Sequence, residues 1–123
     1  RREGLLQPRE IAAPSVEEAF LQKLMQVMEQ HLGEEDFGVD ELSAALALGR
    51  KQLYRKIKAL TGQTPTDFIR TVRLQRARQL LEQHAGTVSE IAYQVGFNNL
   101  SYFAKCFKEE FGELPSEMSK EQP

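Results

Sequence analysis

Apolar residues recur at intervals of three and four through most of the chain, which is the spacing that gives a helix one buried face. The period starts just after Pro14 and shows no sustained alternation of the kind that a strand requires. The predicted helices cover residues 16–32, 39–46, 50–60, 65–83, 88–95, 99–111 and 115–119. The sequence therefore predicts an all-α fold with seven helices.

Three of these helices begin at residues that can cap free backbone N–H groups. Ser15 is followed three positions later by Glu18, and Thr87 by Glu90, which are capping-box pairs. Thr64 stands directly before a proline, the residue favoured at the first position of a helix. These signals support helix starts at residues 16, 65 and 88.

An internal repeat links the two halves of the chain. The first copy covers residues 39–61 and the second residues 88–111, at an offset of 49 before the turn and 50 after it. The matching pairs are Val39/Val88, Glu41/Glu90, Leu42/Ile91, Leu46/Val95, Leu48/Phe97, Leu53/Phe103, Ile57/Phe107 and Lys58/Lys108. Each copy predicts a short helix, a tight turn with a small residue (Ala47 or Gly96) and a longer helix.

The longer helix of each copy carries three apolar anchors. The predicted anchors are Leu53, Ile57 and Leu60 in the first copy and Phe103, Phe107 and Phe111 in the second. This arrangement is the pattern of a helix-turn-helix unit, so the sequence predicts two such subdomains joined by a central helix. The alternative is an ordinary helical bundle in which the two hairpins merely pack together.

The outward faces of the two longer helices favour DNA binding over a plain bundle. The face of the 50–60 helix is cationic and holds no acid, whereas an inert surface usually mixes both signs. Its predicted DNA-binding residues are Arg50, Lys51, Tyr54, Arg55 and Lys58. The second face presents groups that suit base edges and thymine methyls in a major groove. Its predicted DNA-binding residues are Asn98, Asn99, Leu100, Ser101, Tyr102, Lys105 and Lys108.

Charge is segregated along the chain although the total is only −2. Residues 1–49 hold 4 Lys/Arg and 10 Asp/Glu, residues 50–108 hold 11 and 3, and residues 109–123 hold 1 and 5. A basic middle of this strength is the electrostatic signature of a protein that binds a polyanion such as duplex DNA.

The helix predicted over residues 65–83 connects the two units. Its 19 residues would span about 28 Å, close to the roughly 34 Å between successive major grooves on one face of DNA. A rigid connector of this length would set two recognition helices into adjacent grooves, about ten base pairs apart. Its arginines have two interpretations, either solvated charges or contacts to phosphates and clamps between helices. They are Arg70, Arg73, Arg76 and Arg78.

The sequence holds no pattern that indicates catalysis, a metal or a cofactor. It has no glycine-rich phosphate loop, and its Cys and His residues lack zinc-ligand spacing. Cys106 is expected in the core, and His31 and His84 are expected near helix C-termini. We expect no enzyme activity, no small-molecule ligand and no membrane contact. Because the chain has no long apolar run and no secretion signal, it is predicted to be cytoplasmic.

Several short motifs are typical of one family. They are Leu53-Tyr54-Arg55-Lys56, Ala59-Leu60-Thr61-Gly62, Phe68-Ile69-Arg70 through Arg73-Leu74, Ile91-Ala92-Tyr93-Gln94-Val95-Gly96-Phe97, Tyr102-Phe103 and Phe107-Lys108. From about residue 17 to 119 the chain resembles the AraC-family DNA-binding domain, which has seven helices and two helix-turn-helix units. The resemblance implies base reading by Lys51, Tyr54 and Arg55 and by Asn99, Leu100, Ser101, Tyr102 and Lys105. For Tyr102, burial beside Phe103 is the alternative.

The chain departs from the family pattern near its end. The family often has Ser or Thr before the last proline and Tyr three residues after it, where this chain has Leu114 and Met118. We therefore expect the last helix to be weakly anchored.

The chain is also similar to the C-terminal output domain of hybrid two-component regulators. This resemblance, together with the start of the chain at Arg1, predicts a linker over residues 1–15, a DNA-binding domain over 16–119 and a tail over 120–123. The implied partners are duplex DNA, a receiver or sensor domain of the same polypeptide, and RNA polymerase. The alternative function is a helical protein-interaction adaptor whose basic faces bind an acidic partner.

Overall fold

A computed structural model describes residues 15–120. Within that range the chain forms seven helices and no strand. They are α1 (Val16–His31), α2 (Val39–Ala45), α3 (Arg50–Thr61), α4 (Pro65–Glu82), α5 (Val88–Gln94), α6 (Leu100–Phe111) and α7 (Pro115–Lys120). The all-α prediction and all seven helices are confirmed. The predicted linker, apart from Ser15, and residues 121–123 of the predicted tail lie outside the described residues.

The predicted caps hold the helix starts. Ser15 accepts a hydrogen bond from the backbone N–H of Glu18, Thr64 from that of Asp67 and Thr87 from that of Glu90. Each of these bonds satisfies an N–H group that has no partner within the helix. Within residues 15–120, no helix has the length and apolar character needed to span a membrane.

The buried apolar side chains form two clusters, one for each half of the domain. The cluster of the first half contains Leu24, Val27, Met28, Phe37, Leu42, Leu53, Ile57, Phe68 and Ile69. The cluster of the second half contains Leu32, Leu74, Ala77, Leu81, Ile91, Ala92, Val95, Phe97, Phe103, Cys106, Phe107 and Met118. Helix α4 supplies residues to both clusters, so it is the structural element that the two halves share.

The two helix-turn-helix units have matching turns. In the first, Leu46 N–H donates to the carbonyl of Leu42 at 3.0 Å and Leu48 N–H to that of Ser43 at 3.0 Å. The second repeats both bonds at an offset of 49, at 3.0 and 2.9 Å. The small turn residues Ala47 and Gly96 both have positive φ, 55° and 96°. The repeat seen in the sequence is therefore confirmed at the level of backbone hydrogen bonds.

Two packing predictions are wrong. Leu60, predicted as the third anchor of α3, is 37% exposed and lines a shallow groove with Val16 and Phe20. The last helix is well anchored, because Met118 is buried in the cluster of the second half. The repeat explains the second error: Pro115 and Met118 correspond to Pro65 and Phe68 of α4 at an offset of 50, so α7 packs as the start of α4 does.

Candidate nucleic-acid interface

Helix α3 presents its polar face to solvent. The predicted contact residues Arg50, Lys51, Tyr54, Arg55 and Lys58 are all exposed. The opposite face is held in the core by Leu53 and Ile57, both 0% exposed. Arg50 pairs loosely with Asp40 at 3.4 Å, and both side chains are largely exposed, so this pair can separate at small cost. The amphipathic pattern thus fixes which side of α3 can reach a partner.

Helix α6 has the same division into two faces. Phe103 and Phe107 are buried, while the predicted contact residues face solvent. The exposed set is Asn98, Asn99, Leu100, Ser101, Tyr102, Lys105 and Lys108. All twelve predicted contact residues of the two units are therefore accessible.

Tyr102 is 46% exposed, so the alternative that buried it in the core is wrong. Its ring lies 6.2 Å from that of Phe97, measured between centroids, and its hydroxyl accepts a long hydrogen bond from Arg70 Nη1 at 3.5 Å. Nearly half of the Tyr102 side chain is therefore accessible to a ligand.

Asn99 has a structural role that the sequence reasoning did not assign. Its side-chain oxygen accepts from the backbone N–H of Tyr102 at 2.9 Å, which makes it the N-cap of α6. The amide oxygen is thereby occupied, while the residue itself remains exposed. The Asn99 side chain orients the start of α6, where the predicted contact residues Leu100, Ser101 and Tyr102 lie.

Replacing Asn99 by alanine is expected to lower the free energy of unfolding by about 1 kcal/mol, because one N–H group of α6 loses its cap. The matched control is Asn98→Ala, which changes an exposed asparagine outside the helix and should cost less than about 0.5 kcal/mol. Urea denaturation followed by circular dichroism measures both values. Equal losses for the two variants would contradict the capping role.

Two open grooves lie beside the recognition helices α3 and α6 and adjoin each other. The groove beside α3 is lined by Val39, Arg50, Lys51, Tyr54, Thr64, Pro65 and Thr66. The groove beside the start of α6 is lined by Glu35, Phe37, Thr66, Ile69, Arg70, Arg73, Gly96, Phe97, Asn98 and Tyr102. Thr66 lines both grooves, so they are neighbours separated by the first turn of α4. The polar faces of α3 and α6 flank this same stretch of α4.

Three arginines of α4, two of them half-buried, are engaged within the domain. Arg70 pairs with Asp67 at 2.6 Å, Arg76 pairs with Glu29 of α1, and Arg78 lies 3.4 Å from Glu82. Partial burial acts to lower the pKa of Arg70, but Tyr102 and Asp67 outweigh that effect and raise it. Arg76 thus joins α4 to α1. Arg70 also reaches Tyr102 of α6, and Arg78 lies over the Phe111 ring of α6 at 5.0 Å, so all three side chains support helix packing. Arg70 also lines the groove beside α6.

Arg73 is neither solvated nor available to a phosphate, since it is only 6% exposed. Its guanidinium donates to four backbone carbonyls, which makes it a clamp between helices. The acceptors and distances are Leu32 at 2.6 Å, Val95 at 2.8 Å, Glu34 at 2.9 Å and Phe37 at 3.1 Å. Burial lowers the pKa of Arg73, and the charge of Glu34 opposes that effect.

A sequence signal for the burial of Arg73 did exist. Ile69, Ala77 and Leu81 are buried, and position 73 completes their series at intervals of four. A residue in such a series lies on the core side of its helix. The pattern thus indicated a buried arginine, although it could not name the carbonyls that would satisfy it.

The first helix of each unit is fixed by an acidic cap. Glu41 accepts from the backbone N–H of Gly38 at 2.9 Å, and Glu90 accepts from that of Thr87 at 2.8 Å. These backbone hydrogen bonds lower the pKa of both carboxyl groups. The same cap at the same position of each copy orients α2 and α5 alike.

The remaining candidate residues have structural positions. Cys106 is buried in the cluster of the second half, as predicted. His31, in the last turn of α1, lies 2.9 Å from Glu34 and stacks on Phe37. His84, just after α4, has a left-handed φ of 52°. Residues 15–120 contain no group of three or more His, Cys, Asp or Glu side chains that could hold a metal ion.

Comparison with known proteins places this architecture among regulators. Residues 42–121 match a family model described as a helix-turn-helix domain. The chain is 44% identical over 110 residues to Histidine kinase P4 of Formosa agariphila, which covers 89% of this chain and 8% of that protein. It is 38% identical over 85 residues to the transcriptional activator RhaS of Mannheimia succiniciproducens, covering 69% and 32%. The chain thus spans a small part of these relatives.

Solved structures show the same fold. An AraC-type transcriptional regulator from Chromobacterium violaceum is 28% identical with a TM-score of 0.74, covering 84% of this chain and 93% of that one. The DNA-binding domain of AdpA, solved with a target DNA, is 28% identical with a TM-score of 0.73, covering 80% and 88%. The C-terminal domain of the response regulator yesN from Fusobacterium nucleatum is 25% identical with a TM-score of 0.74, covering 83% and 99%.

The family match, the regulator relatives and the shared seven-helix fold agree with the repeated units described above. This domain is therefore a DNA-binding fold of transcription regulators and not a catalytic domain. The chain belongs to the AraC-type family of helix-turn-helix DNA-binding domains.

Proposed function

We propose that this domain binds duplex DNA sequence-specifically, with α3 and α6 in two adjacent major grooves, as the output domain of a transcription regulator. The observation that carries the proposal is the repetition itself. Two units with the same turn hydrogen bonds each bury one face of their longer helix and expose the other. The second helix of a helix-turn-helix unit is the one that enters the major groove.

Electrostatics supports a polyanionic partner. Residues 50–108, which contain α3 and all of α6 except its last turn, hold 11 Lys/Arg against 3 Asp/Glu. Lysine and arginine supply the phosphate contacts that give DNA binding most of its salt-dependent affinity. The likeness to the AdpA domain solved with a target DNA points to the same partner.

The side chains of the two faces suit different parts of the duplex. Arg55 and Lys51 can donate to the acceptors that guanine presents in the major groove, and Leu100 can contact a thymine methyl. Tyr54, Ser101, Tyr102 and Lys105 complete the proposed base-reading set, with Asn99 holding α6 in place. Arg50, Lys58, Asn98 and Lys108 lie at the edges of these faces and are proposed to position the domain on phosphates.

Helix α4 joins the two reading heads as a rigid connector. Its 18 residues span about 27 Å, which is less than the roughly 34 Å between neighbouring major grooves. The placement of α3 and α6 beside α4 must therefore supply the rest of the separation. The adjacent grooves that meet at Thr66 support a common orientation of α3 and α6. We therefore propose an operator with two short segments about ten base pairs apart.

We further propose that the domain, over residues 16–119, is the output end of a two-component regulator. The support is the similarity to a protein named a histidine kinase and to the C-terminal domain of a response regulator. A receiver or sensor domain of the same polypeptide and RNA polymerase are the proposed protein partners. We place the protein in the cytoplasm, where both the DNA and these partners are accessible.

Selection from a random duplex pool tests DNA binding directly, with Arg55→Ala and Lys105→Ala beside the parent. Each change should weaken binding to the selected site by about 1 to 3 kcal/mol and relax base choice at one position, because a base-edge contact is lost. The matched control is Lys23→Ala, which removes an exposed charge from α1, outside both faces, and should leave base choice unchanged.

Three results would contradict the assignment at different levels. A uniform loss across all sequences would make Arg55 or Lys105 a phosphate contact. No enrichment of any duplex by the parent would overturn the proposal itself. Competition by polyglutamate as strong as that by the selected duplex would favour the adaptor function, since an acidic polypeptide offers charge without base edges.

A further inference from the structure

We propose that Arg73 is the positioning residue that locks the two helix-turn-helix units in one relative orientation and thereby sets the spacing of the two DNA segments. The spacing part of this proposal rests on the proposed function, whereas the locking part concerns the domain alone. Arg73 itself is buried and is not proposed to contact DNA.

The partners of Arg73 come from both halves of the domain. Nη1 donates to the carbonyl of Leu32 at 2.6 Å and also to that of Val95 at 2.8 Å. Leu32 is the C-cap of α1, and Val95 is the C-cap of α5, in the turn of the second unit. A single nitrogen thus bridges the two halves directly.

The second nitrogen holds the loop between α1 and α2. Nη2 donates to the carbonyls of Glu34 and Phe37 at 2.9 and 3.1 Å. That loop leads into the first helix-turn-helix unit, whereas Val95 lies in the turn of the second unit. The planar guanidinium therefore holds this loop and that turn in one relative position. Lysine could not reproduce this geometry, because its ammonium group is a compact point charge without the fork of an arginine.

The two halves touch closely around this clamp. We call the contact of residues 32–37 with residues 94–97 the seam. A Cβ added at Gly33 would lie 3.2 Å from the carbonyl oxygen of Gln94, and one added at Gly96 would lie 2.6 Å from that of Leu32. Leu32 also packs in the cluster of the second half. The seam therefore joins the halves independently of the covalent connection through α4.

The burial of the Arg73 guanidinium costs free energy, so stability alone does not explain why it lies there. A buried guanidinium loses hydration, and its charge is met here by neutral carbonyls, so the arrangement is weak evidence for stability alone. What it does supply is direction, because four hydrogen bonds in a plane admit one arrangement of the groups that accept them. Recognition helices held in one arrangement can read only one spacing.

Distances between spin labels test the lock without DNA. Gln52→Cys on α3 and Glu109→Cys on α6 place labels at exposed positions outside the proposed contacts, in a background with Cys106→Ala. The parent should give one narrow distance distribution, and Arg73→Lys a broader or shifted one. The matched control is Arg78→Lys on the same helix. Arg78 pairs with Glu82 one turn away and lies over the Phe111 ring of α6 at 5.0 Å. Because a lysine can make both contacts, this variant should keep the parent distribution.

An unchanged distribution in folded Arg73→Lys would overturn the lock. If circular dichroism shows that Arg73→Lys does not fold, Gly96→Ala is the second test, recorded beside the parent in a stabilising osmolyte. Its added Cβ would lie 1.3 Å from Arg73 Nη1 and displace the guanidinium. The distribution should then broaden or shift, and an unchanged distribution in the folded variant would overturn the lock.

Binding to spaced sites tests the consequence for DNA. Insertion of one base pair between the two selected segments should weaken binding by the parent at least about tenfold and binding by Arg73→Lys less than about threefold. An equal spacing penalty in both proteins would overturn the role of Arg73 in spacing. If the parent binds no duplex, the proposed function fails, while the label distances still decide the lock.

Discussion

Alanine in place of Gly96 is expected to lower the free energy of unfolding by about 3 to 5 kcal/mol. The added Cβ would lie 1.3 Å from Arg73 Nη1 and 2.6 Å from the carbonyl oxygen of Leu32. The guanidinium would have to leave its four carbonyls, and its charge would then be buried without them. Urea denaturation followed by circular dichroism measures the loss.

Gly112 and Ala47 distinguish this steric effect from the cost of a left-handed backbone, because both have positive φ. Gly112 also has a positive φ, 83°, but a Cβ there would meet nothing within 4 Å. Gly112→Ala is therefore expected to cost only about 1 to 2 kcal/mol. The first unit itself carries a Cβ in the equivalent turn, since Ala47 has a φ of 55°. Equal losses at Gly96 and Gly112 would mean that Arg73 moves aside freely.

Leu53→Ala is expected to lower the free energy of unfolding by about 3 to 5 kcal/mol, because it leaves a cavity in a closely packed cluster. Leu53 is 0% exposed and packs with α1, α2 and α4 residues of the first half. Thermal or urea unfolding of the purified variant measures the change. A loss this large would leave a domain of ordinary stability only marginally folded.

Leu60→Ala is the matched control for Leu53→Ala, since it makes the same substitution in the same helix. Leu60 is 37% exposed, and its loss should cost less than about 1 kcal/mol. A cost at Leu60 equal to that at Leu53 would show that the α1–α3 groove is closed in solution and would restore Leu60 as an anchor.

Family membership fits the way in which the domain divides its residues between folding and recognition. Buried apolar residues and caps are matched between the two units, as with Glu41 and Glu90. The exposed faces differ: α3 is mainly cationic, whereas α6 begins with polar, apolar and aromatic groups. Under the proposed function, the two units read different base sequences on one common scaffold.

Local sequence patterns were sufficient to predict the helices, the repeat and the exposed faces. A capping pair such as Thr87 and Glu90 acts across three positions, and helical periodicity acts across three or four. Because these interactions are short in sequence, they are visible in the printed chain. The short motifs that indicate the family are local in the same way.

Local patterns did not predict burial correctly where burial depends on residues that are distant in the sequence. The spacing of Leu60 is that of an anchor, yet no helix covers it in the described part of the chain. Met118 shows the converse case: its helix is well anchored, because α4, α5 and α6 pack against α7. Tyr102 could equally have been buried or exposed, and its contact with Arg70 comes from a residue 32 positions away.

The printed chain is enough to predict the seven helices, the two repeated units and the polar faces that they expose. The way in which the two units are held together depends on contacts between distant residues, because Arg73 bonds to carbonyls 41 and 22 positions away in the chain. Every residue carries such a carbonyl, so no side-chain pattern marks the ones that will converge on a buried guanidinium. Their meeting depends on the packing of α1, α4 and α5, which is settled when the whole domain folds.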